Sequence, residues 1–476
     1  MPARCPPSAR PLPNLLRPKS RTASPGIRLA GSLLAGPATP ALAFYLFILV
    51  NAVLFVRPAE IIPDVQGLPI YEWVILACLA ASLFGIFHQL RPESLVSQPI
   101  VACVLGLLAA AVISFLAQLS LWGVRTEGWE FFKVILYFLL FVSNVTSTSR
   151  LRHLLGWLLV FILALTVLAL LNFYDVIDIP SLVRMKQTQS IDEATGEIVA
   201  LDRLCSTGIY ANPNSLSRIL LVGLGLSLYW LFDRRGALLR LLGLISLGAF
   251  GFAMVLTYSR GGFVGLMVGV SVFLLARFGW RKSLPLAVAA LALLFVLFAG
   301  RQTDLDVSQG TGQQRIQIWS EGLDLFVRSP LFGIGMGNYL EEVHIVAHNC
   351  FVHCYTELGF LGGTLFTGAV YLSLWPMYRV GSLQSQIADP ELRRLRPYLL
   401  AILAGYAAGM LSISISYHVP TYMLFGLAAV YLRLVGASPR LQMPRFDIQM
   451  ILRLGTISAS VLVGFYVYVR LFVHWM

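Results

Sequence analysis

The run His153-Leu154-Leu155-Gly156-Trp157-Leu158-Leu159-Val160-Phe161-Ile162-Leu163-Ala164-Leu165-Thr166-Val167-Leu168-Ala169-Leu170-Leu171-Asn172-Phe173 contains no Asp, Glu, Lys or Arg. A helix of about 20 mostly apolar residues matches the hydrocarbon core of a bilayer. Comparable runs fall near 41–56, 71–87, 99–119, 131–147, 213–232, 238–257, 262–278, 284–300, 359–377, 398–416, 419–434 and 452–472. The expected fold is therefore all-α: a polytopic membrane protein of about 12–13 transmembrane helices, with a large, partly helical outer loop.

Composition agrees with that reading. The 476 residues are 57% hydrophobic and 12% charged, against about 25% charged in a soluble protein. Six cysteines make no disulfide framework. Cys78 and Cys103 fall inside apolar spans, Cys5 lies in the N-terminal tail, and Cys350 and Cys354 stand at helical spacing. With His348 and His353 nearby a metal site is conceivable there, but no acidic third ligand stands close by and none is expected. No cleavable signal peptide is evident. Residues 1–40 carry six basic residues and no acid, rich in Pro and Ser, and read as a disordered tail.

Orientation follows from Lys and Arg in the connections. With the tail cytoplasmic and sides alternating, inner segments hold 23 of 35 basic and five of 23 acidic residues, including Arg234, Arg235 and Arg440. That is a net +18 inside and −6 outside. The overall basicity is thus an orientation signal, and no nucleic-acid partner is expected. Three regions are predicted: a basic cytoplasmic tail (1–40), a membrane-embedded domain (41–435) with large outer loops at 173–213 and 301–358, and a C-terminal linker and helix (436–476).

Five short polar words fall on the outer side: Arg203 with Gly208–Asn214 (GIYANPN), Tyr258-Ser259-Arg260-Gly261-Gly262, Arg315–Trp319, Gly333–Tyr339 (GIGMGNY), and His348-Asn349 followed by Glu357-Leu358-Gly359. Arg260 opens a helix, where a guanidinium and free N–H groups favour a phosphate; the bland alternative is a snorkelling interfacial arginine. Two glycines after it are expected to let backbone approach a ligand. Asn212 reads as a helix cap and Pro213 as a first-turn residue. Arg203 shows no structural task in sequence. His348 is a candidate general base; its neighbours His344 and His353 read as solvated surface. Glu357, nine residues on, faces away from His348 if the stretch is helical, and is expected to cap or brace the helix end. GIGMGN lacks the Lys-Ser/Thr of a nucleotide loop and reads as backbone turning near the site.

Taken in order, Arg…GIYxNPN, YSRGG, RxxxW…SPLFGIGMGN…HNxxxxxxxELG resembles the O-antigen ligase and polymerase superfamily over roughly residues 45–435. Arg57-Pro58-Ala59-Glu60 after the first span is similar to members of that group. The resemblance implies a GT-C-like membrane glycosyltransferase of the bacterial cytoplasmic membrane, N-terminus inside and active site extracytoplasmic. It implies transfer of a glycan from undecaprenyl diphosphate to an acceptor hydroxyl on lipid, glycan or protein at the outer leaflet, as in lipopolysaccharide and cell-envelope polysaccharide biosynthesis. Inversion and independence of a metal or other cofactor are implied too. On that reading His348 is catalytic, and Arg203, Arg260 and Arg315 bind the diphosphate. Asn349, Tyr258, Ser259, Asn214 and Glu357 support them. The competing classes are a transporter or flippase, against which the lack of Asp or Glu in mid-span argues, and a non-catalytic assembly subunit.

Overall fold

A computed structural model describes residues 39–179, 182, 184–191, 198–233, 236–298, 310–438 and 441–474. The tail assigned to 1–40 falls outside the described residues except for Thr39 and Pro40, as do Cys5, Arg234, Arg235 and Arg440.

The long elements are α1 (Ala41–Val56), α2 (Ile70–Gln89), α3 (Pro99–Ala117), α4 (Glu127–Asn144), α5 (Thr148–Phe173), β1 (Met185–Ile191), β2 (Ile198–Arg203), α6 (Pro213–Leu231), α7 (Ala237–Leu256), α8 (Arg260–Phe278) and α9 (Trp280–Leu297). They continue with α10 (Gly310–Arg328), α11 (Asn338–Val343), α12 (Cys350–Arg379), α13 (Pro390–Gly409), α14 (Val419–Gly436) and α15 (Ile448–Phe472). Twelve helices among the described residues are long and apolar enough to cross a membrane. The helix expected at 131–147 is present as α4, but Glu127, Glu130 and Lys133 occupy its first two turns, and it is not among those twelve. The chain is an all-α, multi-pass membrane protein.

Sequence dictates the helix ends. Ser147, Asn212, Ser259, Asn349, Asp389 and Asp447 each stand just before a helix and accept a hydrogen bond from its first turn. In hydrocarbon the remaining backbone groups pair within each helix. α6, α12, α13 and α14 form the buried centre, while α9 and α15 lie outermost with apolar side chains such as Val296 and Leu452 exposed. α8 packs closely on α13: a Cβ on Gly265 would stand 2.8 Å from the Gly405 carbonyl oxygen, and one on Gly269 3.3 Å from that of Ala401. Small residues at such a seam let two helix backbones meet.

The 173–213 loop holds an antiparallel hairpin, with Met185 opposite Arg203 and Ile191 opposite Ile198. Six- and seven-residue strands without an apolar alternation left no readable signal there.

The largest departure concerns α12. The expected span begins at 359, but the helix starts at Cys350 and is interrupted at Gly359, whose φ is 65°. The interruption frees backbone groups, and the 330–335 loop takes them up. Ile334 N–H donates to Thr356 O at 3.1 Å, Gly335 N–H to Glu357 O at 3.1 Å, and Phe360 N–H to Pro330 O at 2.8 Å. The words SPLFGIGMGN and ELG are two halves of one backbone junction. Glu357 is therefore inside a helix and 0% exposed, instead of at its outer end.

Candidate active site

The site is built at the end of the bundle where α6, α8, α12 and α14 begin. Asn212 caps α6 through a 2.8 Å bond from Asn214 N–H, with Pro213 in the first turn, as its sequence requires. Ser259 caps α8, accepting from Gly262 N–H at 3.2 Å. The two turns are stitched together: Ser259 Oγ donates to Asn214 Oδ1 at 2.8 Å, and Ser217 Oγ donates to Ser259 Oγ at 3.2 Å.

Arg203, the last residue of β2, is buried and has a structural task that sequence did not reveal. Its Nε donates to Thr257 O at 2.8 Å. Its two terminal nitrogens donate to Gln187 Oε1 at 2.9 Å and to Asn214 Oδ1 at 3.1 Å. The side chain thus ties the hairpin to α6 and to the turn before α8, while still lining the cavity below.

The glycines after Arg260 also make room for protein side chains, while Gly261 lines the cavity described below. A Cβ on Gly261 would fall 2.0 Å from Ser412 Oγ and 2.4 Å from an Arg218 nitrogen; one on Gly262 would fall 2.7 Å from Ser217 Cβ. They admit protein side chains. Arg218, fully buried on α6, donates to Gly261 O at 2.6 Å and to Ser412 Oγ at 2.8 Å. A charged residue six positions into an apolar run is costly unless paired; that cost was the signal for Arg218.

A cavity of about 380 Å³ collects most of the predicted residues: Arg203, Asn214, Tyr258, Arg260, Arg315 and His348 all line it. Among the described residues no Asp or Glu lines it. Arg315 comes from α10, an amphipathic helix of the 301–358 loop, which is thus partly helical as expected. Tyr258 and His348 both take left-handed backbone conformations, φ 47° and 50°, unusual for residues with a Cβ. Burial, then the nearby Arg315 guanidinium, pushes the His348 imidazole down to about 4, so the ring is neutral at pH 7.

Asn349 and Ser259 do not line this cavity. Asn349 lies directly behind His348, with Oδ1 accepting from Phe351 N–H at 2.9 Å, and so fixes where α12 begins. Glu357 is not brought to His348 either. Its Oε1 accepts from Gly337 N–H at 2.9 Å and Tyr339 N–H at 3.2 Å, bracing the start of α11. It also stands 3.1 Å from His353 Nε2. His353 is accordingly an enclosed partner of Glu357, contrary to the solvated surface expected for it. Cys350 and Cys354 are buried and unbridged, and Cys350 Sγ donates to Ile413 O at 3.0 Å.

Two further lining residues escaped the sequence reading. Trp319, named only as part of a motif, donates from Nε1 to Ala347 O at 2.7 Å. Tyr468, on the C-terminal α15, lines the cavity, and that helix is held by the Tyr355 hydroxyl at 2.8 Å from Ser458 Oγ and by Gln317 Nε2 donating to His474 O at 2.6 Å. Trp319 had its place in the RxxxW word as a signal, and Tyr468 had none beyond its aromatic type.

Residues 244–367 match the family model described as O-Antigen ligase. The match takes in the Tyr258–Gly262 turn, Arg315, the Gly333–Tyr339 loop and the His348–Gly359 stretch; Arg203 and Asn214 lie outside it. No curated protein matches the chain. The matched segment supplies Arg260, Arg315 and His348 to one cavity of the helical bundle, and over that segment the chain is similar to the O-antigen ligase family.

Proposed function

We propose that the protein is a glycosyltransferase that moves a glycan from undecaprenyl diphosphate to an acceptor hydroxyl, at the outer leaflet of the bacterial cytoplasmic membrane. The observation that carries this reading is one cavity lined by three guanidinium groups and a neutral imidazole, with no carboxylate among its described lining residues.

In the proposed step His348 accepts the proton of the acceptor hydroxyl. The acceptor oxygen bonds to the anomeric carbon from the face opposite the diphosphate, giving inversion. The carbon–oxygen bond to the diphosphate breaks, and its electron pair leaves with the phosphate oxygen. Arg260 and Arg315 stabilise that growing charge, a role in which preorganised donors often supply the largest share of rate enhancement. Arg203 contributes charge from a fixed position, held by Thr257, Gln187 and Asn214. Guanidinium groups take the leaving-group charge in this scheme, so it needs no metal.

A transporter reading draws on the interrupted α12 with buried Glu357, since transporters break helices around their substrates. Here the freed backbone groups are bonded to the 330–335 loop. That pairing favours a structural use of the break.

The test is transfer of a lipid-linked glycan by purified, reconstituted protein. Wild type is expected to transfer, and His348→Ala and Arg260→Ala to lose transfer while remaining in the membrane. Full transfer by both variants would overturn the reading.

A further inference from the structure

One face of the outermost helix α15 is left exposed, with Val463, Val467 and Leu471 on it. The opposite face carries Leu462, Phe465, Tyr468 and Val469, at the three- and four-residue spacing of a helical stripe, and packs on α10 and α12. Polar ties fix its position. Ser458 Oγ stands 2.8 Å from the Tyr355 hydroxyl and accepts from Thr364 Oγ1 at 2.7 Å, and Arg470 Nη2 pairs with Asp324 Oδ1 of α10 at 3.2 Å. A helix anchored in this way sets Tyr468 in the wall of the cavity that holds His348. Tyr468 lies beyond the segment that matches the family model.

That cavity has two unlike sides. Arg203 and Arg260 enter it from the hairpin and from α8, which packs on α13. Trp319 and Tyr468 enter it from α10 and α15. Their rings are half-buried, with centroids 6.3 Å apart and planes at 44°, and both line the cavity. The Trp319 indole is bonded to Ala347 O, so the aromatic wall is tied to the residue before His348. Arg315 and Trp319, four residues apart, share a face of α10. One helical turn separates them, about 5.4 Å, comparable to the breadth of a single sugar ring.

A saccharide has a C–H face that packs on aromatic rings and hydroxyls that bond to amide and hydroxyl groups. Trp319 and Tyr468 offer the rings, and the Gln314 amide and the Tyr468 hydroxyl offer the polar edges of the same cavity. Inversion requires the acceptor to approach from the side away from the diphosphate, with its hydroxyl at His348. The aromatic side meets both conditions: it faces the His348 cavity, and its elements are not those that bring in Arg203 and Arg260.

We propose that Trp319 and Tyr468 form the acceptor subsite: a saccharide ring packs on them inside the His348 cavity, with its attacking hydroxyl turned to the imidazole. That the bound sugar is the acceptor rests on the glycosyltransferase reading; that the occupant is a saccharide rests on the aromatic wall. Of the lipid, glycan and protein acceptors open to such an enzyme, the wall selects one that presents a sugar.

The experiment is saturation-transfer NMR on the full-length protein in a sugar-free detergent. The probes are methyl glucoside, the methyl glycoside of N-acetylglucosamine, and a glycine–serine–glycine tripeptide. Transfer is expected to the ring C–H protons of at least one glycoside and to be absent for the tripeptide. Tyr468→Leu keeps apolar bulk on α15 and removes the ring, and should weaken glycoside binding roughly fivefold. Tyr468→Phe should stay within about twofold of wild type, and Tyr468→Trp, with a larger ring, should bind at least as tightly. Transfer to neither glycoside, transfer to the tripeptide alone, or equal binding by Tyr468→Leu would each overturn the proposal. In the glycan-transfer assay Tyr468→Leu should raise the acceptor KM roughly fivefold and leave the donor KM and the pH profile unchanged, with Tyr468→Phe restoring the acceptor KM. A rise in the donor KM alone would give the wall to the donor's sugar and overturn the acceptor assignment; unchanged kinetics in Tyr468→Leu would overturn the subsite while the glycosyltransferase reading stands. No transfer by wild type, with glycoside binding intact and lost in Tyr468→Leu, would sink the glycosyltransferase reading and leave the saccharide site standing.

Discussion

Trp319 Nε1 donates to the carbonyl oxygen of Ala347 at 2.7 Å, one residue before His348 takes its left-handed turn. The indole of α10 thereby fixes the backbone that aims the imidazole into the cationic cavity. Trp319→Phe keeps an aromatic ring and removes the donor. A lost hydrogen bond is worth about 1 kcal/mol, so kcat is expected to fall roughly fivefold to tenfold, with the donor KM little changed and the protein still in the membrane. Steady-state kinetics on reconstituted protein checks this; an unchanged kcat would mean that the bond does not position His348.

The pH dependence follows from the low His348 value. An imidazole held down to about 4 is unprotonated above that pH and loses base function only as pH falls through it. The acid limb of kcat/KM is expected near 4, well below the ordinary histidine range. Bound diphosphate brings negative charge, which favours the imidazolium, so the limb of kcat should lie higher. Arg315→Gln removes the neighbouring cation and should move the kcat/KM limb upward. A wild-type kcat/KM limb near 6.5 would contradict the burial of His348.

The arginines are expected to separate by role. Arg203 is buried with three hydrogen bonds below 3.2 Å, so Arg203→Ala should destabilise the folded protein by about 2–3 kcal/mol as well as impair transfer. Arg260→Lys keeps the charge but loses two-point contact with a phosphate, and should remain impaired with normal thermal stability. Thermal unfolding alongside transfer assays distinguishes the two.

Gly359 and Gly279 form a matched pair. Both have positive φ, 65° and 74°. A Cβ on Gly359 would stand 2.4 Å from the backbone of Leu331, while one on Gly279 meets nothing within 4 Å. Gly359→Ala should abolish recovery of monodisperse protein, whereas Gly279→Ala should cost about 1 kcal/mol for the strained φ alone. Fluorescence-detected size-exclusion chromatography reads the difference.

Span positions were legible because hydrocarbon demands long apolar runs; every expected run is a helix within a few residues, except that α12 begins nine residues early and α13 eight early. Those early starts carry polar residues, Glu357 and Arg394, whose cost is met by partners elsewhere in the chain: Gly337 and Tyr339 for one, Asp233 at 3.0 Å for the other. Sequence shows the charge and hides the partner. The gathering of Arg260, Arg315 and His348 was legible as motifs on one side. Arg203's bracing role, the service of Gly261 to Arg218, and the arrival of Tyr468 from α15 depend on contacts between segments far apart in the chain, which no local pattern encodes.

The most direct test of the account is a single-turnover assay of purified protein in liposomes with undecaprenyl-diphosphate-linked glycan and a hydroxyl acceptor. Wild type should yield glycosylated acceptor and free undecaprenyl diphosphate in equal amounts. His348→Ala should still bind the lipid-linked donor and form neither product, and Arg260→Ala should lose donor binding. Product formation at the wild-type rate by His348→Ala would contradict the central claim.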